Sequence, residues 1–313
     1  MSSFEIIKCH GSGNDFVMVD ATRSDAAASV DRELFARLAC DRVAGIGGDG
    51  VLFVERYVDG VYGMDMLNPD GTHAEMCGNG IRCVIRLAAE RGYIVDDKLR
   101  SGGREYGVAM AEPIADGIAS FAVSIPLRKH SPDFLFFAEG DSFVGKPITA
   151  LDDNLAFTAL NPGNPHIVAA VESIDLALLE RLGERVKELK ELFPRGVNVS
   201  LYERRSSEEI FVATYERGAG ITLSCGTAMT SSATAAVMLG LCDADCRIEV
   251  RNRGGKVFCT TRLVDGEPIT RLEGNATFEW WGRAELVDGE LCYEIERTTG
   301  EAEVWNAFVE SLR

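Results

Sequence analysis

Two cysteines stand in matching settings half a chain apart: Glu75-Met76-Cys77-Gly78-Asn79-Gly80 and Leu223-Ser224-Cys225-Gly226-Thr227-Ala228. Small residues follow each, and then a helical run, residues 81–87 after the first and 231–239 after the second. A thiol at a helix N-terminus faces unpaired N–H groups and the positive end of the macrodipole. That setting lowers a thiol pKa from about 8.5 into a range of roughly 3.5 to 7.5. The same N–H groups are suited to holding a carboxylate. Two such thiols facing one cavity form a symmetric acid/base pair, which is what inversion of a carbon centre requires.

The cysteines lie 148 positions apart, and the segments before them align at that offset without a gap. Val51 falls on Val199, Glu55 on Glu203, Asn68 on Glu216 and Gly78 on Gly226. Further upstream, Gly13-Asn14-Asp15-Phe16-Val17 matches Gly163-Asn164-Pro165-His166-Ile167 at an offset of 150. Anchors recurring in one order predict a duplicated half-domain: two similar α/β lobes with a cleft between them, a preferred place for a ligand.

The elements that must position these residues follow from periodicity and turn signals. Residues 4–9 alternate like a strand, break at His10-Gly11-Ser12-Gly13-Asn14, and resume at 16–19. Residues 31–42 read as an amphipathic helix with Leu34, Leu38 and Ala39 on its apolar face, followed by strands at 51–54 and 62–67. Asn68-Pro69-Asp70-Gly71 is a turn, and the Cys77 helix runs to about Glu90. Residues 101–126 hold two or three strands. Residues 127–154, with Pro132 and Pro147, are the least regular stretch. The first lobe is expected over residues 1–126, completed by about 282–295, the second over 127–281, and a tail over 296–313. In the second lobe, strands are expected at 157–160, 167–171, 197–202 and 210–215, with a helix at 176–192. Closing strands are expected at 257–261 and 276–281. The tail is patterned as a helix through Val304, Phe308 and Leu312.

A net charge of −17 excludes the clustered basic footprint of a nucleic-acid binder and adsorption to an anionic membrane surface. No apolar run reaches the roughly 18 to 20 residues of a membrane helix, and the first twenty residues lack a signal-peptide core. Nine cysteines, an odd number without a dense framework, point to free thiols in a reducing cytoplasm. Cys242 and Cys246 resemble half a metal site, but no second pair or flanking histidine completes it, and no metal is expected.

Seven segments in order resemble the diaminopimelate epimerase family over nearly the whole chain. They are Lys8-Cys9-His10-Gly11-Ser12-Gly13-Asn14-Asp15-Phe16, Gly45-Ile46-Gly47-Gly48-Asp49-Gly50, Asn68-Pro69-Asp70-Gly71, Cys77-Gly78-Asn79-Gly80-Ile81-Arg82-Cys83, Gly163-Asn164-Pro165-His166, Phe193-Pro194-Arg195-Gly196-Val197-Asn198-Val199, and Tyr215-Glu216-Arg217-Gly218-Ala219-Gly220 leading to Cys225-Gly226-Thr227. The resemblance implies an α/β fold of the α+β type. Two pseudo-symmetric lobes would each wrap a mixed or antiparallel sheet around a central helix. It implies an isomerase that uses no cofactor and interconverts LL- and meso-diaminopimelate, on the route to lysine and peptidoglycan. Cys77 and Cys225 would exchange the roles of base and acid. His166 and Glu216 would lie near the α-amino group and help set the thiol protonation states. N–H groups of Gly78, Asn79, Gly226 and Thr227 would hold the α-carboxylate. Asn14, Asn68, Asn164, Asn198 and Arg217 would bind the rest of the substrate. A buried Arg217 would be costly to leave unpaired, favouring a substrate with a distal acid. The partner expected is a small-molecule amino acid, with a homodimer left open.

The chain departs from the family pattern at Cys225-Gly226-Thr227-Ala228-Met229, where a glycine usually takes the Ala228 position. It departs again at Ile221, where many members have Glu, and at Gly50, where some have Gln. These changes spare both thiols and bear on the substrate. The competing readings are a same-mechanism racemase of another amino acid such as histidine, a catalytically silent amino-acid-binding protein, and a redox sensor. His10, His73 and His130 are read as structural, and Cys83 as core.

Overall fold

The computed structural model describes residues 3–74, 76–94, 96–127 and 142–312. His130 and most of the irregular stretch after residue 127 lie outside these. The chain divides into two compact units, Met1–Val123 with Glu273–Arg313, and Ser124–Leu272. Among the described residues no helix is long and apolar enough to cross a membrane.

The first unit begins as a hairpin. Strand Phe4–Gly11 pairs antiparallel with Asn14–Asp20, and the tip is closed by Ser12 and Gly13 with φ of 54° and 78°. Two consecutive positive φ values make the tight turn whose twist suits a hairpin. Asn14–Asp20 then runs parallel to Gly50–Arg56, which pairs antiparallel with Tyr62–Leu67, itself parallel to Lys98–Ser101. The second unit repeats this order. Asp152–Leu160 pairs antiparallel with His166–Val171, which runs parallel to Asn198–Arg204. Next come antiparallel Glu209–Glu216 and parallel Arg247–Asn252. The registers agree residue by residue: Val17 opposes Val51 and Val51 opposes Leu67, as Ile167 opposes Val199 and Val199 opposes Tyr215. The offsets of 150 and 148 in the sequence are therefore pairing registers of a duplicated mixed sheet.

Each unit holds one helix buried nearly all round, Gly78–Glu90 in the first and Gly226–Met238 in the second, both 13 residues long. They differ in composition. The first buries Ile81, Val84, Ile85 and Leu87. The second buries Thr230, Ser231, Ser232 and Thr234; Thr230 and Thr234 each donate to the carbonyl four residues back at 2.8 Å.

Some expectations are corrected. The helix expected over residues 31–42 spans Arg32–Cys40, capped by Asp31, and buries Phe35, Ala36, Ala39 and Cys40, while Leu34 and Leu38 are only half-buried. Burying Phe35 between Phe4 and Phe53 sets the face. The helix expected over 176–192 ends at Glu188. Strands Arg247–Asn252, Glu267–Asn275 and Glu290–Thr298 were not evident from the sequence. The final helix, Glu301–Ser311, buries Trp305 and exposes Val304. Trp305 packs on the His10 ring at 5.4 Å, and Arg86 grips Glu301 with two bonds of 2.5 and 2.7 Å.

Glycine at position 183 is required by packing. It lies inside helix Leu176–Glu188, and a Cβ there would overlap the Tyr215 ring. Gly183→Ala improves helix propensity by nearly 1 kcal/mol, yet overpacking costs roughly 1 to 3 kcal/mol. The expected result is a net loss of stability in urea unfolding; a stabilised variant would show that Tyr215 moves aside freely.

Candidate active site

Cys77 is the N-cap of its helix, in extended conformation, and its sulfur accepts the Gly80 N–H at 3.3 Å. The half-buried thiol also donates to Asn14 Oδ1 at 3.8 Å. Asn14 is placed by the hairpin tip. Its Nδ2 donates to Asp49 Oδ2 at 2.6 Å, and its Oδ1 accepts from Asn79 Nδ2 at 3.2 Å. Gly78 is the first residue of the helix. Of the residues singled out in this half, Cys77, Asn14 and Asn79 thus form one bonded cluster. Asn68 is engaged in its own turn, where its amide donates to Thr72 Oγ1 at 3.0 Å.

Cys225 is the N-cap of the matching helix. Its sulfur lies 3.4 Å from Thr227 Oγ1, and Thr227 Oγ1 lies 3.1 Å from His166 Nε2. His166 is fully buried, with Asn164 Oδ1 at 3.0 Å and Asn198 Nδ2 at 3.3 Å from the same nitrogen. Burial, with Arg217 adding to it, pushes His166 down to about 3, so the ring is neutral near pH 7. Strand Glu209–Glu216 ends at Glu216, whose carboxylate accepts from Thr222 Oγ1 at 2.6 Å and hydrogen-bonds to Cys225. The Arg217 N–H donates to Asn198 Oδ1 at 2.8 Å. Cys225, Glu216, Thr227, His166, Asn164 and Asn198 are therefore drawn together.

Two expectations change here. A helix N-terminus was expected to lower the thiol pKa, but burial and then the Glu216 carboxylate hold Cys225 well above its usual value. Desolvation of a thiolate exposed by only 7% outweighs the dipole of one helix. Arg217, expected to be buried, is exposed, and its guanidinium donates to the Arg195 carbonyl. Asp49, Thr222 and Arg82 were not assigned roles from the sequence. Asp49 and Arg82 lay inside the quoted motifs, and their polar character within glycine-rich segments was the available signal.

Removing the Glu216 charge should lower the Cys225 pKa, because the carboxylate disfavours the thiolate. In Glu216→Gln, alkylation of Cys225 by iodoacetamide is expected to begin at lower pH than in the parent, read by peptide mass spectrometry. An unchanged or higher onset would remove Glu216 as a determinant of that thiol.

The family model described as diaminopimelate epimerase matches residues 6–105 and 158–279. A curated diaminopimelate epimerase of Clostridium acetobutylicum is 35% identical, covering 98% of this chain and 94% of its own length. One from Listeria welshimeri is 33% identical, covering 100% and 96%. Among solved structures, a hydroxyproline epimerase from Agrobacterium vitis superposes with a TM-score of 0.64 at 16% identity, over 98% of both chains. With family segments spanning both duplicated halves, and both thiols at helix N-caps, the chain belongs to the diaminopimelate epimerase family of isomerases.

Proposed function

We propose that the chain is a pyridoxal-phosphate-independent epimerase that interconverts LL- and meso-2,6-diaminopimelate, an intermediate of lysine and peptidoglycan synthesis in the cytoplasm. One thiolate removes the α-proton and becomes a thiol. The opposite thiol gives its proton to the other face of the carbanion and becomes a thiolate. The roles exchange in the reverse direction. The observation that carries the reading is the placement of Cys77 and Cys225 at N-caps of repeat-related helices, each inside a polar cluster.

Preorganised donors lower the cost of the carbanion. N–H groups of Gly78, Asn79, Gly226 and Thr227 are assigned to the α-carboxylate. His166 and Glu216 are assigned to the α-amino group. Asn14, Asn68, Asn164, Asn198 and the exposed Arg217 are assigned to the remainder, Arg217 to the distal carboxylate. A second reading, racemisation of a single-headed amino acid, draws on Met229 and on the exposure of Arg217. Met229 is buried in the first turn of the Cys225 helix, its sulfur accepting from Asn252 at 3.0 Å. Incubation in D₂O with diaminopimelate or histidine, followed by NMR of α-deuterium exchange, separates the two. Exchange fastest with diaminopimelate supports the proposal; faster exchange with histidine overturns the substrate and leaves the thiol chemistry standing.

A further inference from the structure

Arg82 has no role in the mechanism above, yet it is completely buried beside residues that have one. It lies five residues after Cys77, on the same helix. Its guanidinium donates to the Gly78 carbonyl at 2.8 Å, the Asn275 carbonyl at 3.0 Å, Ser12 Oγ at 3.0 Å and Asn79 Oδ1 at 3.1 Å. Two of these acceptors belong to the first turn of the Cys77 helix. Ser12 belongs to the hairpin tip that carries Asn14. The two segments pack so closely that a Cβ on Gly11 would press on the Asn79 backbone and on Arg82 itself.

The polarity of these bonds is fixed from both ends. A guanidinium can only donate, so Asn79 must turn its Oδ1 towards Arg82 and its Nδ2 towards Asn14. The Asp49 carboxylate, paired with Arg42 at 2.7 Å, accepts here, so Asn14 must turn its Nδ2 towards it. Both constraints leave Asn14 Oδ1 facing the Cys77 sulfur. A flip of either amide would set donor against donor at Arg82 or acceptor against acceptor at Asp49.

We propose that Arg82 is a positioning residue: acting through Asn79, it fixes the Asn14 amide with its oxygen on the Cys77 thiol, and so sets the orientation in which that thiol exchanges its proton. The inference rests on Cys77 being one of the two reacting thiols. Arg82 acts through Asn79 and the Gly78 carbonyl, which it bonds directly. Its geometry does the positioning, since a charge without the fork cannot reach Asn79, Gly78 and Ser12 together.

Three variants of the full chain test the relay. Arg82→Lys keeps the charge and loses the fork. Asn79→Asp keeps an acceptor in front of Arg82 but removes the donor to Asn14. Ser12→Ala removes one bond of Arg82 and leaves the relay intact. The substrate-independent readout is iodoacetamide labelling of Cys77 relative to Cys225 in one sample, resolved by peptide mass spectrometry; general loosening of the fold would raise both together. The labelling ratio is expected to shift in Arg82→Lys and Asn79→Asp and to hold in Ser12→Ala. Because a misplacement of about 1 Å costs on the order of 100-fold, kcat/KM should fall by that order in the first two variants only. A parental ratio in Asn79→Asp, or the same shift in Ser12→Ala, overturns the proposal. So does full turnover in Arg82→Lys. If Arg82→Lys does not fold, Asn79→Asp against Ser12→Ala still decides. If the parent protein turns over no amino acid, the proposed function fails while the labelling ratio still judges the relay.

Discussion

Cys77→Ala and Cys225→Ala should each lose epimerisation by on the order of 10⁴-fold or more, as expected when two groups act as a unit. The informative result is what each variant keeps. A single remaining thiol can take the α-proton from the configuration it faces and return one from solvent to the same side. Each variant should therefore exchange α-hydrogen in D₂O with one stereoisomer while inverting neither. In the proposed mechanism Cys225 would start as the proton donor, since burial and then Glu216 hold its pKa well above the usual value. Cys77 sits in a different setting, half-buried between the Gly80 N–H and a neutral amide. The two one-sided exchange rates should accordingly differ and respond differently to pH. Measuring inversion and exchange separately by NMR checks this. Inversion at near-parental rate in either variant would refute a two-base mechanism, and exchange with both stereoisomers would point to one base reaching both faces.

Much of this arrangement was legible because the duplication is a matter of register. An offset of 148 that aligns Val51 with Val199 places both residues in strands with corresponding neighbours, one parallel and one antiparallel. Small residues after each cysteine mark helix starts, since they leave the unpaired N–H groups of the first turn open to a cap or a ligand. The hidden parts have physical causes. Strand Glu290–Thr298 is exposed along most of its length, so no apolar alternation marks it. Helix Arg32–Cys40 buries Phe35, Ala36 and Cys40 beside the expected Ala39, so counting leucines rotates the predicted face away from Phe35. The direction of the Cys225 shift could not be read from the chain, because it depends on how completely the thiol is buried and on a carboxylate nine residues away in sequence. Nothing in the run Ile81-Arg82-Cys83 marks Arg82 as buried. Its burial follows only when the hairpin tip and the strand end at Asn275 close around it.

Lowering the pH from 7 to 4.5 should cost the protein several kcal/mol of stability through two buried histidines, one in each unit. Burial, helped by Lys8 and Arg82 against the opposing Asp15, pushes His10 from 6.5 down to about 4, and burial with Arg217 pushes His166 down to about 3. Both folded values lie below the unfolded one, so between them the unfolded chain binds more protons and acid favours it. The stabilisation is complete above about pH 6.5 and is lost as the pH falls towards the folded values. Each histidine contributes about 2 to 3 kcal/mol across that interval. Asp15 is also depressed, to about 2, since Arg42 and Lys8 outweigh the effect of burial, but its share is lost only below its ordinary 3.8. The histidines dominate the window from pH 6.5 to 4.5. Glu279, raised by burial, acts in the opposite direction, and Glu249, whose burial is outweighed by Lys256 and Arg251 so that it is lowered, adds a smaller loss at the lower end. Urea unfolding measured at pH 7, 5.5 and 4.5 should show a falling free energy, and His10→Gln or His166→Gln should each flatten part of the slope. The same stability at pH 7 and 4.5 would mean that the rings take up protons without leaving the fold, and that their burial is not held against acid.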